Sequence, residues 1–343
     1  MTTNHKKTIN LALQGGGAHG AFTWGVLDRL LEDDRLIIEG ISGTSAGAMN
    51  AAALAQGYMV GGAAGARAAL DKFWMRLSEF SVFGPVQPGL IDRLMGNFNL
   101  DTSPSYLMFD AVQRMFSPYQ LNPLNWDPLR TILEEEIDIE AIRKNSHIKL
   151  FVSATNVRTG KIRVFENPEI SIDTLLASAC LPLVFQAIEI DGDPYWDGGY
   201  MGNPALFPLI YGCKSPDLLL VEINPIERDG VPKTTTEILN RLNEITFNSS
   251  LMREMRAIAF VQKLIEDNAL TGPGSSQMKK MHIHMITAEK VVSDLGASSK
   301  MNADLRFLTY LKEFGRESAG RWLDENFSHI GHKSTVDIRE RFL

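Results

Sequence analysis

A single serine, Ser45, lies between two glycines where a strand pattern gives way to a helix pattern. Residues 37–42 are mostly apolar and predict a buried strand, whereas residues 46–57 predict a helix. A turn this sharp imposes unusual backbone angles on its central residue, and side chains at the flanking positions would clash. The pattern therefore predicts a nucleophile elbow, with Gly43 and Gly47 as its support and the Ser45 hydroxyl raised above a sheet. Without the strand and helix around it, the same motif is equally typical of a flexible loop.

A second loop, formed by Gly15, Gly16 and Gly17, follows a predicted strand at residues 8–14 and precedes a predicted helix at residues 18–32. Three glycines leave their N–H groups unshielded, which suits either a phosphate cradle or an oxyanion hole. A Walker loop is excluded because no Lys-Ser or Lys-Thr pair follows. The loop does satisfy the dinucleotide pattern G-x-G-x-x-G, but that interpretation leaves the serine elbow without a role. The oxyanion interpretation uses both loops and is favoured.

The third motif is Asp197 followed by Gly198 and Gly199, which alone is typical of an ordinary turn. The three motifs in this order resemble the patatin-like phospholipases, a family of serine acyl hydrolases. Their pattern is a G-G-G-x-[Lys or Arg]-G loop, a G-x-S-x-G elbow and a D-G-[Gly or Ala] turn. The resemblance covers about residues 8–225 and includes residues 176–185, which are similar to the family's stretch before the aspartate.

The resemblance implies a Ser–Asp dyad, in which Ser45 attacks an ester carbonyl and Asp197 accepts its proton. The N–H groups of Gly15, Gly16 and Gly17 are expected to form the oxyanion hole. The implied activity is hydrolysis of carboxylic ester bonds of lipids, as by a phospholipase or lysophospholipase, through an acyl-enzyme and without a cofactor. An esterase, thioesterase or polyester depolymerase with the same dyad is the alternative. A non-catalytic lipid-binding module is less favoured because both dyad residues are intact.

One position departs from the family pattern, because His19 stands where the glycine loop usually carries Lys or Arg. A fixed cation there would stabilise an oxyanion or contact a phosphate. Histidine is neutral over much of the physiological range, so its contribution would be partial and dependent on pH. Two interpretations stay open: His19 is an auxiliary group beside the oxyanion, or it packs at the start of the first helix.

A triad mechanism would require a histidine late in the chain, and the candidates are His282, His284, His329 and His332. Each position is more typical of a structural or surface histidine. His282 and His284 form the only notable pair of metal-ligand type, and no third ligand accompanies them in the sequence. We therefore keep the dyad that the resemblance implies and predict no metal.

Composition and charge narrow the class of protein further. The net charge of −7 argues against nucleic acid as a partner, and two cysteines are too few for a disulfide framework. We see no signal peptide and no apolar run of 18 residues, so a cytoplasmic protein is expected. The expected partner is a lipid or acyl-ester substrate, with peripheral contact to membranes as a further expectation. The oligomeric state stays open.

Strand and helix patterns alternate along the chain, which predicts an α/β fold with a mostly parallel central sheet flanked by helices on both faces. We expect a catalytic domain at residues 1–230 and a helical extension with one strand at residues 231–343, packed on the same core. Residues 79–126 are apolar without a clean period. They are either a cap-like insertion beside the site, walling an acyl pocket or touching a membrane, or an irregular segment packed on the core. The predicted strands are 8–14, 37–42, 147–156, 161–166, 187–191, 217–223 and 280–286, and the predicted helices are 18–32, 46–57, 63–78, 126–136, 138–144, 171–179, 234–267 and 303–327.

Overall fold

The fold is built around one mixed sheet. The computed structural model describes residues 6–82, 86–89, 97–145, 147–269 and 278–343. Within these residues the sheet has eight strands. They are β1 (Lys7–Leu13), β2 (Leu36–Gly43), β3 (Lys149–Asn156), β4 (Ile162–Glu166), β5 (Ile188–Ile190), β6 (Asp193–Asp197), β7 (Asp217–Glu222) and β8 (His282–Thr287).

The strands lie in the order β5-β6-β3-β2-β1-β7-β8, and β4 pairs with β3 beside this path. Five neighbouring strands run parallel to one another: β3, β2, β1, β7 and β8. Strands β4, β5 and β6 pair antiparallel. The predicted mostly parallel sheet is confirmed. Because β1 and β2 are parallel neighbours, the loops that follow them meet at the same edge, where sites form in folds of this kind.

The helices pack on both faces of the sheet, and short 3₁₀ turns join several of them to strands. The helices are α1 (Gly20–Asp33), α2 (Ala46–Ser81), α3 (Pro104–Met115), α4 (Pro118–Leu121), α5 (Pro128–Glu136), α6 (Ile139–Arg143), α7 (Ile172–Ser178), α8 (Phe207–Gly212), α9 (Thr235–Glu266), α10 (Glu289–Val292), α11 (Leu305–Asn326) and α12 (Ile338–Phe342). The 3₁₀ turns are Gly17–His19, Asn167–Glu169, Gly198–Tyr200, Ala297–Met301 and Phe327–His329.

Two apolar layers cover the sheet, as the alternating pattern predicts. On one face α1, α2 and α11 bury side chains such as Phe22, Trp74 and Phe307. On the other face α8, α9 and α12 bury a second set that includes Leu251 and Phe342. The helices therefore flank both faces and the three-layer α/β/α arrangement is confirmed.

Helix α11 lies directly against α1, and glycines set how closely their backbones approach. A β-carbon on Gly315 would overlap the backbone carbonyl of Phe22. A β-carbon on Gly25 of α1 would likewise overlap the carbonyl of Lys312. The strand β8 and helices α9, α11 and α12, all from residues 231–343, thus complete the same sheet and its two covering layers.

Three elements differ from the sequence-based expectation or refine it. Helix α2 contains the break expected between residues 57 and 63, because Gly61 and Gly62 have non-helical angles. Strand β6 was not predicted; it forms a hairpin with β5 through Asp191 and Gly192, both of which have positive φ. Helix α3 falls in the segment predicted to be irregular, and none of its residues is buried.

Parts of the predicted insertion, at residues 83–85 and 90–96, lie outside the described residues. None of the described helices is both long enough and apolar enough to cross a lipid bilayer.

Candidate active site

Ser45 lies at the turn between β2 and α2, in a backbone conformation that non-glycine residues rarely adopt. Its φ is 53° and its ψ is −124°. A conformation of this kind costs on the order of 1–3 kcal/mol and persists only where the surroundings enforce it. Here a β-carbon on Gly43 would lie 2.5 Å from the carbonyl oxygen of Gly47, and one on Gly47 would overlap the carbonyl of Leu13. The two glycines therefore allow the turn to close and hold the serine in its strained conformation.

The backbone of Ser45 is also fixed from the neighbouring helix α7. Its N–H group donates to the Oγ atom of Ser178 at 2.9 Å, and Ser178 is fully buried. Sequence analysis placed Ser178 in the stretch that resembles the family but gave it no role. The only signal for it was a hydroxyl residue at the end of an otherwise apolar helix.

Asp197 ends β6 and is 1% exposed. Its Oδ1 atom accepts the N–H of Gly199 at 2.7 Å, and the residue lines the same cavity as Ser45. Burial raises the pKa of Asp197 to about 7, against the lowering effects of the Gly199 N–H, the Ser45 hydroxyl and the charge of Lys300. The structure thus brings a serine hydroxyl and a carboxylate of unusual basicity together.

The three glycines of the first loop do not behave alike. The N–H of Gly15 donates to Oδ1 of Asn203 at 2.6 Å, so it is not available to an oxyanion, and the prediction for Gly15 is wrong. Gly15 instead lets the two loops approach, because a β-carbon there would lie 2.7 Å from that of Ser45. Gly16 and Gly17 line the cavity in front of the serine. Their N–H groups have no hydrogen-bonding partner in the described part of the chain.

His19 does not face this cavity. It is 2% exposed, its Nε2 atom lies 2.7 Å from Oγ of Ser299, and its ring packs edge-on against Phe307. Burial, together with the charges of Lys300 and Arg228, lowers the pKa of His19 to about 3. The auxiliary interpretation is therefore wrong and the packing interpretation holds, because a neutral ring turned away from the serine offers an oxyanion no charge.

The cavity in front of Ser45 has a volume of about 430 Å³. Its walls are mostly apolar, with Met49, Phe73 and Trp74 among them, and Asp197 and Lys300 add the charged groups. Among the described residues that line it, none is a histidine. An apolar chain attached to a polar reacting group would match this lining.

The candidate triad histidines His282 and His284 lie on β8, the strand at one end of the sheet order, and neither lines the cavity of Ser45. Both contact Oδ1 of Asp217, at 3.3 Å and 3.0 Å, where β7 begins. The N–H of Gly331 donates to the same oxygen at 2.8 Å. These contacts tie the end of the chain to the sheet and place the two histidines in a structural role.

Comparison with known proteins bears on the same residues. A model of the family described as patatin-like phospholipase matches residues 11–210, more than half of the chain. The chain belongs to the patatin-like phospholipase family. Membership in the patatin-like phospholipases implies a lipid acyl hydrolase, and the matched range includes both Ser45 and Asp197. A search of curated proteins finds no significant match.

Two bacterial proteins are among those whose solved structures are similar to this patatin-like phospholipase. VipD from Legionella pneumophila is 17% identical with a TM-score of 0.44, over 94% of this chain and 67% of VipD. ExoU, from a complex with SpcU of the Pseudomonas aeruginosa type III secretion system, is 16% identical with a TM-score of 0.39. That match covers 94% of this chain and 52% of ExoU, so the chain spans about half the length of ExoU.

Proposed function

We propose that this patatin-like phospholipase hydrolyses carboxylic ester bonds of lipids, with Ser45 as the nucleophile and Asp197 as the general base. The observation that carries the proposal is the pairing of a strained serine with a buried carboxylate in one apolar cavity. The free N–H groups of Gly16 and Gly17 on the same cavity support it, since acyl transfer needs donors for a developing oxyanion.

The reaction divides into two halves. Ser45 Oγ attacks the ester carbonyl while its proton passes to Asp197, and the oxyanion accepts hydrogen bonds from the N–H groups of Gly16 and Gly17. The tetrahedral intermediate then breaks the ester C–O bond, and the leaving alcohol takes the proton from Asp197. Water attacks the acyl-enzyme with Asp197 again as base, which releases the carboxylic acid and restores the serine hydroxyl.

The environment of Asp197 suits this double role. A group that accepts and returns a proton works best when its pKa lies near the working pH. An ordinary aspartate is too weak a base for this, and burial raises the pKa of Asp197 to about 7. The Gly199 N–H at 2.7 Å keeps one carboxylate oxygen fixed, which leaves the other for the serine proton.

A hydrolysis profile with purified protein tests the proposal. The substrates are phospholipids, lysophospholipids and acylglycerols with long chains, compared with short nitrophenyl esters. We expect faster turnover of the long-chain lipids because the cavity walls are apolar. Turnover of short soluble esters alone would indicate an esterase, and absence of turnover with every ester would indicate a lipid-binding module and overturn the proposal.

The pH dependence of the reaction follows from Asp197. Its carboxylate is protonated below a pH of about 7 and then accepts no proton, so kcat/KM is expected to rise about tenfold per pH unit up to that point. Above it the rate is expected to level off. A soluble neutral ester is the substrate to use, since vesicle surfaces titrate as well. A rate that stays flat down to pH 5 would contradict Asp197 as the base.

An exposed apolar surface lies beside the cavity, and we propose that it contacts membranes. Tyr106 of α3 lines the cavity, and the neighbouring exposed side chains form what we call the α3–α4 patch. In the described residues the patch comprises Leu107, Met108, Met115, Phe116, Tyr119, Leu121, Leu124 and Trp126. Exposed apolar surface on this scale is typical of an interaction site, and its position would let an acyl chain pass from lipid into the cavity.

The double variant Leu124→Glu, Trp126→Glu tests this contact, because these side chains are 91% and 67% exposed. Burying each in lipid contributes about 1.5–3 kcal/mol, so we expect vesicle binding to weaken at least about tenfold. Co-sedimentation with phospholipid vesicles measures it, and hydrolysis of a short soluble ester should be unchanged. The control is Tyr211→Glu, at a residue 83% exposed beside a different cavity. Equal effects of both variants would contradict a role for the patch.

A further inference from the structure

Lys300 lies in the 3₁₀ turn Ala297–Met301, far beyond the range that the family model matches. The turn packs directly on the glycine loop. Gly17 has a φ of 58°, and a β-carbon there would overlap the backbone carbonyl of Lys300. The backbone of Lys300 is thereby fixed against the glycine loop, and Lys300 lines the same cavity as Gly16, Gly17 and Ser45.

Among the described residues, the ammonium group of Lys300 donates hydrogen bonds to two neutral amide oxygens. Its Nζ atom donates to Oδ1 of Asn224 at 2.8 Å and to Oδ1 of Asn243 at 3.2 Å. It also lies 5.8 Å from the ring centre of Phe247. No carboxylate comes within ion-pairing distance of it in the described part of the chain. A lysine has three N–H donors, and the two amides use two of them.

The amide that holds Lys300 is itself held rigidly. The Nδ2 atom of Asn224 donates to the carbonyl of Gly15 at 2.7 Å and to Oε1 of Gln14 at 3.2 Å. The backbone N–H of Asn224 donates to the same Gln14 oxygen at 2.9 Å. The ammonium is therefore positioned by the loops that follow β1 and β7, and not by a flexible surface contact.

A buried cation without a carboxylate partner is costly to a fold. Burial and the charge of Arg228 lower the pKa of Lys300 to about 8, against the raising effects of Glu244 and Asp197. The group is therefore still mostly charged at pH 7. Its remaining donor, next to the oxyanion loop, suits a substrate anion, since charge-assisted hydrogen bonds are the strong ones.

We propose that Lys300 is a specificity-determining residue that binds the phosphodiester of a phospholipid or lysophospholipid substrate. It would supply, from a distant part of the chain, the cation that the glycine loop lacks because His19 is buried and turned away. The inference rests on the proposed ester hydrolysis, and it divides substrates by charge: esters with a phosphodiester near the scissile bond are favoured over neutral acylglycerols.

The test compares lysophosphatidylcholine with a monoacylglycerol of the same acyl chain, at pH 7. In Lys300→Met we expect kcat/KM for lysophosphatidylcholine to fall about 10- to 100-fold, which corresponds to a lost charge-assisted hydrogen bond. The value for monoacylglycerol should fall less, because loss of the Lys300 charge affects this substrate only through the pKa of Asp197, so the ratio of the two kcat/KM values is the readout. Lys300→Arg should keep most of the lysophosphatidylcholine activity. The matched control is Lys290→Met, at an exposed lysine of α10 outside the cavity.

An equal loss on both substrates, or no loss on either, would overturn the inference. A binding measurement distinguishes a failure of this inference about Lys300 from a failure of the proposed ester hydrolysis. Calorimetry of wild type with glycerophosphocholine should show binding that Lys300→Met loses, even if no ester is turned over. If wild type binds inorganic phosphate but does not bind glycerophosphocholine, Lys300 is a site for free phosphate. That result would overturn its role with lipid headgroups. Wild type that binds glycerophosphocholine but hydrolyses no ester would contradict only the proposed function.

Discussion

Replacing Ser45 by alanine is expected to lower kcat for lipid ester hydrolysis by about 10⁴-fold or more, because Ser45 supplies the oxygen that forms the acyl-enzyme. The substitution keeps the β-carbon that contacts Gly15, so the two loops should stay in place. Steady-state hydrolysis of the best long-chain substrate measures the effect, and a thermal melt close to that of wild type shows that the fold is kept.

Covalent labelling provides the control for Ser45. A fluorophosphonate should form one adduct on wild type, located at Ser45 by mass spectrometry, and none on Ser45→Ala. Ser178→Ala is the matched serine variant, since it removes only the oxygen that accepts the Ser45 N–H. It should still be labelled, at a reduced rate. If Ser45→Ala retains more than a few per cent of the activity, another residue is the nucleophile.

Replacing Asp197 by asparagine is expected to reduce kcat by about 10²- to 10⁴-fold, the range that a positioned base contributes. The amide accepts no proton from Ser45, although its oxygen still accepts the N–H of Gly199. Because an asparagine before Gly198 can deamidate to aspartate, freshly purified protein is needed, and Asp197→Ala serves as a second variant. Near-native rates in both variants would contradict the dyad.

Asp197→Asn is also expected to be more stable than wild type above pH 7. The unfolded chain releases the Asp197 proton near pH 3.8 and the folded chain near pH 7. Raising the pH through this interval therefore lowers the free energy of unfolding of wild type, by up to roughly 4 kcal/mol, and the loss is constant above it. Asp197→Asn lacks this loss. Its advantage in melting temperature should grow from pH 4 to 7, and a constant difference over that interval would argue against the raised pKa.

Local constraints made much of the fold predictable. Strand β7 is buried throughout, and β1 and β2 are buried over their carboxyl-terminal halves, so their apolar runs predict strands of a parallel sheet. The elbow is equally local, because only glycine fits at positions 43 and 47. Strand β6 escaped prediction since Pro194 and two aspartates lower its strand propensity. The Asp191-Gly192 pair before it is a typical hairpin turn and could have revealed it.

Contacts between distant segments were beyond prediction, and they decide the details of the candidate site. The sequence around Gly15 gives no sign that Asn203 occupies its N–H group. Nothing in the sequence around His19 indicates its contact with Ser299, about 280 residues away. Lys300 looks like any surface lysine in a loop. Each of these contacts depends on which loops the sheet brings together, and the periodic patterns of a sequence do not predict that.

The packing of α11 on α1 has a consequence for synthesis of the chain. About 270 residues separate the end of α1 from the start of α11. At roughly 5–20 residues per second, the ribosome delivers α11 some 15–55 seconds after α1. Throughout that interval Phe22 and Val26 lack the contacts that Phe314 and Gly315 later provide. The nascent chain therefore exposes this apolar surface of α1 until α11 has been synthesised, and a chain that ended before α11 would be expected to aggregate.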